Sequence, residues 1–238
     1  TGMFAEQAPT AASAPAGQGE QEDDEVPTID AGDWLLSPRD SLASLWSLYS
    51  DQPLPVTACS AAITRGVACV EAQAQTWDEI GHYDRPLQLD MVTPERFSAA
   101  VLLLGMDDKN GWVLASRGVL LVPLAELAPL WTGRYRFYWH PPRGFERALS
   151  LGDSSSAVAE VAGLFARLDG QQEPLAGEQF SEALQQRVWL FQRDHGLNAD
   201  GVVGVQTLLK LNEQLGIDAT AAIARSRLRD GASALVQR

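Results

Sequence analysis

The chain is poor in basic residues, and this shortage excludes two classes of ligand. It contains only two lysines, and its formal net charge is −13. Proteins that bind nucleic-acid backbones or anionic lipid surfaces need clustered lysine and arginine side chains. Nucleic-acid binding and peripheral membrane binding are therefore not predicted functions.

Long apolar runs are also missing. No stretch reaches the roughly 18 apolar residues that span a bilayer, and the first residues lack the basic and then apolar order of a signal peptide. We therefore expect no membrane-spanning segment within this sequence. A membrane anchor upstream of Thr1 stays open at this point.

Cysteine is scarce, since Cys59 and Cys69 are the only two in the chain. An oxidising compartment favours one crosslink between such a pair, whereas two buried thiols would suit a reducing cytosol. In one unbroken helix the two residues would lie about 15 Å apart, too far for a disulfide. Gly66 lies between them and would let the chain turn back, so both alternatives remain.

Residues 1–33 differ in composition from the remainder of the chain. They carry eight acidic residues, no Lys or Arg, and almost no large apolar side chains. Such a composition cannot offset the conformational entropy lost on ordering. We predict a disordered acidic linker here.

Residues 34–143 combine helical and strand patterns. Apolar residues recur at helical spacing from Trp34, with Asp40 or Ser41 as the predicted N-cap. Two further short helices are predicted before the first of five strand-like segments, and another short helix is predicted between the fourth and the fifth. The helices are predicted from Thr57 or Ser60 to Gly66, at 77–83 and at 123–130, and the strands at 86–91, 98–106, 111–116, 118–122 and 135–139. We predict an α+β domain with an antiparallel meander.

A tight hairpin is predicted between the second and third of these strands. The residues at 107–111 read DDKNG, and an Asn-Gly pair tolerates the positive φ that a two-residue hairpin turn requires.

Residues 144–216 contain three helical patterns of similar length. The first follows a serine cap at 154–156, and the second repeats part of the first after 26 residues, aligning LFAR at 164–167 with LFQR at 190–193. A turn at Asp200 and Gly201 precedes the third. We expect one small three-helix core that includes Phe165, Leu184, Phe191 and Leu208, followed by a C-terminal helical tail at 217–238.

This second unit resembles a known family. The run LxxGDxSxxVxxVxxLFxRLxG from Leu149, followed by VWLFQRDHGLNADGVVGVQTLLKL, is similar to the three-helix peptidoglycan-binding domain over roughly 64 residues. The pattern is carried by Phe191, Gln192, His195, Gly196, Leu197, Asp200, Gly201, Gly204, Thr207 and Leu211. The resemblance implies binding to the bacterial cell wall.

The upstream unit resembles the domain that precedes this module in the general secretion pathway protein A (ExeA) family. The similarity lies in the blocks RPLQLDM, AAVLLLGMDD and PLWTGRYRFYWHPP. It implies a periplasmic region anchored to the inner membrane by a segment outside this chain. Implied partners are peptidoglycan, a second general secretion pathway protein, the secretin and further copies of the chain. The family's ATPase is absent, because no GxxxxGK[ST] phosphate loop occurs.

The same resemblance implies a papain-like fold of the kind found in bacteriocin-exporter peptidases. Such a site needs a cysteine at the start of a helix and a histidine on a later strand. The helix here opens as SPRDSLASLW without cysteine, and Arg96, Phe97 and Ser98 stand where the histidine signature would lie. We predict a pseudo-enzyme with no catalytic residue.

Other catalytic or metal arrangements are weakly supported. A dyad of Cys59 or Cys69 with His82 or His140 is not excluded by spacing, although the apolar neighbours of Cys69 favour packing or a crosslink. The three histidines lack metal-ligand spacing and no HExxH occurs, so no metal or other cofactor is expected.

A cell-wall ligand is rich in amides and hydroxyls, so its cleft needs fixed polar groups beside an aromatic surface. Trp189 lies off the apolar stripe of its helix, and glycines in the following turn would expose backbone amides. The predicted ligand-binding residues are Trp189, Gln192, Arg193, Asp200, Gly201, Gly204 and Thr207. Each has a structural alternative: core packing for Trp189, a solvated helix end for Arg193, and backbone shape for the glycines.

Three functions compete at this stage. The first is non-catalytic wall binding by a secretion assembly factor. The second is a murein hydrolase or cysteine peptidase that the module targets to the wall. The third is a protein-interaction domain with Trp131 or Tyr135 as exposed anchors.

Overall fold

The structure is a computed structural model that describes residues 30–57, 59 and 66–235. The predicted linker therefore lies outside the described residues except for 30–33, where helical structure already begins. The helix predicted to end at Gly66 also lies largely outside them. No helix in the described ranges is long and apolar enough to cross a membrane.

One six-stranded antiparallel sheet organises the first part of the chain. Its strands are β1 Ala68–Gln73, β2 Leu87–Val92, β3 Ser98–Met106, β4 Asn110–Ala115, β5 Gly118–Pro123 and β6 Trp131–Trp139, arranged in the order β1-β6-β2-β3-β4-β5. The predicted meander is confirmed for β2 to β5. Strand β1 was not predicted, because Val70 is the one strong strand former in its sequence. The strand is stabilised by its pairing with β6.

Four short helices lie before or between the strands along the chain, and four longer helices follow the last strand. They are α1 Ala31–Trp34, α2 Pro38–Trp46, α3 Asp78–Gly81, α4 Leu124–Leu127, α5 Ser156–Leu168, α6 Glu182–Asp194, α7 Val205–Leu215 and α8 Ala221–Leu235. The cap predicted for α2 at Asp40 or Ser41 was wrong. Ser37 is the cap, and its Oγ accepts a hydrogen bond from the Asp40 amide at 3.0 Å, with Pro38 beginning the helix.

The predicted hairpin between β3 and β4 is present, but its predicted turn chemistry was wrong. Neither Asn110 nor Gly111 has a positive φ. The carboxylate of Asp107 closes the turn instead, since its Oδ1 accepts from the amides of Lys109 and Asn110 at 2.8 Å each.

Helices cover both faces of the sheet. On one face Leu102, Leu104 and Tyr138 pack with α2 and α8. On the other face the strand side chains pack with α1, α3 and α4, and this core continues through Trp139 and Leu149 into the C-terminal module. The sheet and the module therefore share one apolar core.

The module is built from α5, α6 and α7. The predicted core residues Phe165, Leu184, Phe191 and Leu208 are all buried, and the rings of Phe165 and Phe191 meet edge to face with centroids 5.4 Å apart. Ser155 and Ser181 cap α5 and α6. The predicted three-helix core is confirmed.

A buried ion network joins the module to the sheet. The guanidinium of Arg85, which precedes β2, contacts the carboxylates of Glu213 in α7 and Asp218 beyond it. His140 Nδ1 lies 2.8 Å from Asp218 Oδ1, and the Asn212 side chain donates to the His140 carbonyl at 2.7 Å. Polar as well as apolar contacts therefore hold the two parts together.

The C-terminal helix α8 packs on the sheet. Arg225 donates to the Leu104 carbonyl at 2.7 Å, and its guanidinium lies 4.6 Å from the ring centroid of Trp112. The close approach occurs at Gly105, whose φ is +113° and where any Cβ would lie 2.6 Å from Arg225.

Cys59 and Cys69 form a disulfide, with Cα atoms 5.0 Å apart. Cys69 lies on β1 and not in a helix, so the two cysteines are not held apart at the distance that one continuous helix would impose. The crosslink ties residues before β1 to this edge strand of the sheet.

Candidate functional site

A groove runs along the exposed side of α6 in the C-terminal module. Its volume is about 590 Å³, and it is lined by Leu151, Glu182, Gln185, Gln186, Trp189, Asp200 and Gly201. We call it the α6 groove. Three of the predicted binding residues lie in it, namely Trp189, Asp200 and Gly201.

The two faces of α6 explain how the groove forms. Leu184, Val188 and Phe191 face the core and are buried. Positions 182, 185, 186 and 189 follow the i, i+3, i+4, i+7 spacing of a single helix face and all line the groove. Four lining residues were not among those predicted, namely Leu151, Glu182, Gln185 and Gln186, although this spacing identifies the three on α6.

Trp189 has the placement expected of an aromatic platform. Its side chain is 40% exposed, whereas Val188 and Phe191 on the core face of the same helix are buried. The Arg193 guanidinium lies 5.3 Å from the indole centroid and is paired with Asp194 at 2.8 Å. Arg193 therefore supports the indole and does not line the groove.

Two predicted ligand contacts were wrong, because Gln192 and Thr207 are interior residues. Both are nearly inaccessible to solvent. Gln192 Nε2 donates to Asp200 Oδ1, the Val202 carbonyl and Thr207 Oγ1 at 2.9 to 3.1 Å, while its Oε1 accepts from the Gly201 amide at 2.8 Å. The side chain holds the turn against α6 and has no free polar atom for a ligand.

The predicted exposed amides of the turn are also absent. The amide of Gly201 donates to Gln192, and that of Val202 donates to Asp200 Oδ1. The amides of Val203 and Gly204 donate to the carbonyls of Leu149 and Val202. These donors are satisfied within the module, because the turn is anchored on both sides.

The two glycines of the turn have different roles. Gly201 has a φ of +73°, and a Cβ there would lie 2.8 Å from Gln185 Cγ, so the backbone needs glycine and the helix approaches closely. Gly204 has an extended backbone as the cap of α7, and a Cβ there would meet no atom within 4 Å. Gly204 does not line the groove, and its predicted ligand contact stays a prediction.

The α6 groove is acidic. Its lining residues include the carboxylates of Glu182 and Asp200 and contain no Lys or Arg. Asp200 Oδ1 accepts from Val202 and Gln192, and Oδ2 accepts from Asn198 Nδ2 at 3.0 Å. The groove thus combines two negative charges, two side-chain amides and an aromatic surface.

A larger concavity lies on the sheet part, between α3, the β3–β4 turn and α4. Its volume is about 740 Å³. Trp77 in its wall is stacked on Trp131 with centroids 4.4 Å apart. Asp107 is bonded to the turn amides, and these hydrogen bonds lower the pKa of its carboxyl. The α6 groove lies on the module that resembles the peptidoglycan-binding domain, so we favour it over this concavity as the ligand site.

Neither cysteine has a free thiol, because Cys59 and Cys69 are bonded to each other. A Cys–His dyad with His82 or His140 is therefore excluded in this state. Among the described residues no group of three or more His, Cys, Asp or Glu side chains is arranged to hold a metal ion. The exposed-anchor hypothesis fails for Tyr135, which is buried on β6.

Comparisons with known proteins agree with this arrangement. Residues 154–211 match the family described as putative peptidoglycan binding domain. The chain is 27% identical over 186 residues to general secretion pathway protein A of Aeromonas hydrophila, which covers 76% of this chain and 33% of that protein. The chain thus spans about a third of the length of this curated relative.

Solved structures give the same assignment. A periplasmic domain of the EpsAB fusion protein of the Vibrio vulnificus type II secretion system matches with a TM-score of 0.58 and 27% identity, covering 79% of this chain and 82% of that one. The peptidase domain of Streptococcus mutans ComA matches with a TM-score of 0.28 and 15% identity over 31% of this chain and 64% of that one, which is too little to carry an argument. The recognised similarity to general secretion pathway protein A and the α+β fold with a helical module are confirmed, whereas the papain-like assignment stays a prediction.

Proposed function

We propose that this chain is a non-catalytic, wall-binding part of a type II secretion assembly factor, and that it binds peptidoglycan through the α6 groove. One observation carries the proposal. The groove with the exposed Trp189 lies on the segment that matches the peptidoglycan-binding family. An aromatic surface with a few fixed polar groups is the usual composition of a ligand cleft.

We place this region in the periplasm, anchored to the inner membrane by a segment outside the chain. Two observations support the location. The solved relative is described as a periplasmic domain, and the Cys59–Cys69 disulfide suits an oxidising compartment. Peptidoglycan lies in that same compartment.

The cellular role we assign is to help the secretin pass or assemble within the wall. A single shallow groove binds weakly, but copies linked in an oligomer bind a polymer with increased avidity. A second general secretion pathway protein and the secretin are the proposed protein partners. This role extends the similarity to a protein named for the general secretion pathway.

The absence of catalysis is part of the proposal. It is supported by the bonded cysteines and by the lack of a cysteine at the start of α2. Incubation with murein should release no soluble fragments. Release that is abolished by Cys59→Ser or Cys69→Ser would instead identify a hydrolase or peptidase.

Sedimentation with purified murein sacculi tests wall binding directly. We expect the wild-type protein in the pellet and Trp189→Ala largely in the supernatant. Phe97→Ala is the matched control, because Phe97 is an aromatic residue that is 69% exposed on the sheet part, away from the groove. A wild-type protein that stays in the supernatant at all salt concentrations rules the proposal out.

A further inference from the structure

The chemistry of the α6 groove distinguishes between the two components of peptidoglycan. We infer that the groove binds the neutral glycan strand and disfavours the anionic stem peptides. This inference rests on the proposed function and specifies the ligand of the same site. It depends on the charge of the groove, on the free acceptor of Asp200 and on the length of the α6 face.

The charge of the groove favours a neutral ligand. Glu182 and Asp200 are both exposed and both line the groove, and no lining residue is basic. Arg193 lies one helical turn beyond Trp189, outside the groove lining, and its charge is paired with Asp194. A stem peptide has more carboxylates than ammonium groups, so its net charge is negative and this lining repels it. The N-acetylated sugars of the glycan carry no charge where their lactyl carboxyls are amide-linked to the stems.

The second step is hydrogen bonding. A carboxylate offers about four acceptor positions. Asp200 uses two on Oδ1, to Val202 and Gln192, and one on Oδ2, to Asn198. One acceptor position on Oδ2 is left for a ligand donor, and the three internal bonds hold the carboxylate in a fixed orientation. A sugar hydroxyl can donate to this position.

The third step is shape. From Glu182 to Trp189 the face of α6 rises about 10 Å, which is comparable with the length of a disaccharide. Trp189 offers its indole at one end, and Leu151, which is 46% exposed, adds apolar surface. Gly201 carries no side chain to obstruct a ring. The flat apolar face of a pyranose fits an aromatic surface flanked by polar groups.

The roles divide among five side chains. Trp189 stacks on one sugar ring, and Asp200 accepts from a hydroxyl. Gln185 and Gln186 supply amide donors and acceptors along the helix. Glu182 accepts from a second ring and, together with Asp200, provides the selectivity against carboxylates.

The test is a titration of the full chain, monitored by backbone amide NMR signals. The two probes are a β-1,4-linked N-acetylglucosamine tetramer and a soluble stem tetrapeptide. We expect the sugar to shift the signals at 182–189 and 200–201, and the peptide to leave them unchanged at low salt. Trp189→Ala should weaken sugar binding about tenfold, and Trp189→Phe should restore part of it.

A charge variant separates selectivity from stacking. Glu182→Gln should weaken sugar binding only modestly, because the amide oxygen still accepts a hydrogen bond from the second ring. It should allow detectable peptide binding at low salt, where unscreened charges act furthest. Glu173→Gln is the matched control, because Glu173 is exposed and lies outside the groove. Glu173→Gln should leave both titrations as in the wild type.

The outcomes separate this inference from the proposed function. Signals in the groove that respond to the peptide, or to neither probe, in a protein that still sediments with sacculi overturn the inference and leave wall binding intact. Equal responses to both probes also overturn it. A wild-type protein that neither sediments nor responds overturns both. Since the wild-type titration alone decides these cases, an unfolded variant does not obscure the result.

Discussion

The guanidinium of Arg85 lies 3.1 Å from the carboxylate of Glu213, and both side chains are shielded from solvent. Arg85 belongs to the sheet part and Glu213 to α7, so the pair crosses between the two parts of the protein. Asp218 contacts the same guanidinium at 3.4 Å, and Lys210 contacts Glu213 at 2.7 Å. The charges within the shared core are therefore balanced by their neighbours.

Replacing Arg85 should destabilise the whole described fold. Arg85→Met removes the guanidinium that two buried carboxylates share, and we expect a loss of about 3 to 5 kcal/mol in the free energy of unfolding. Chemical denaturation measures the loss. Arg143→Met is the control, because Arg143 pairs with Glu160 while 94% exposed, and its change should stay within about 1 kcal/mol. Similar losses in the two variants would contradict this account.

Gln192 should matter for stability and not for direct ligand contact. Gln192→Ala leaves the Gly201 amide and Thr207 Oγ1 without their partner in a buried site, and we expect a loss of about 1 to 3 kcal/mol. Thermal unfolding provides the measurement, with the exposed Gln171→Ala as control. A folded Gln192→Ala protein should still bind sacculi, and a selective loss of binding without destabilisation would contradict the structural role.

Reduction of the disulfide should weaken the fold to a limited extent. A crosslink across this short loop lowers the entropy of the unfolded chain by an amount worth about 2 to 3 kcal/mol. The midpoint of denaturation should therefore fall when a reductant is added. The double variant Cys59→Ser, Cys69→Ser should already show the lower midpoint and should not respond to reductant.

Two histidines should make stability depend on pH. Burial lowers the pKa of His82 and His195 below the ordinary value of 6.5, and Lys210 acts in the same direction. The unfolded chain therefore binds these protons more readily than the folded protein does. Stability from this source is present above about pH 6.5 and is lost as the pH falls through the lowered pKa values.

Denaturation at pH 7.5 and at pH 5.0 measures this effect. The double variant His82→Gln, His195→Gln should lose less stability than the wild type over that interval. His140 is unsuitable as a further substitution, because it contacts the buried Asp218. An identical pH dependence in wild type and variant would show that other groups govern this range.

The sequence predicted the helical module better than the sheet part. The helix periods predict that Phe165, Leu184 and Phe191 are buried, since the spacing of apolar residues along one helix is a local pattern. Strand β1 depends on pairing with β6, whose register joins Ala68 to Trp139, and no local pattern contains that information. The turn at Asp107 was misassigned because a side-chain carboxylate replaced the expected Asn-Gly geometry.

The candidate site was predicted only in part, for a physical reason. The most recognisable residues of the module, Gln192, Gly201 and Thr207, are those that close the turn on α6, so they are interior. Groove-lining residues such as Glu182 and Gln186 belong to no motif. Their place in the groove can be predicted only from the spacing of residues along the face of α6 opposite the core.

The core shared by the sheet and the module also determines the direction in which a bound molecule points. Apolar packing through Trp139 and Leu149, together with the ion pairs of Arg85, fixes the orientation of the α6 groove relative to the strands. If the α6 groove binds a glycan as proposed, each bound copy would hold its sheet at the same angle to that strand. Neighbouring copies along one polymer would be aligned by the wall itself, before any contact between them.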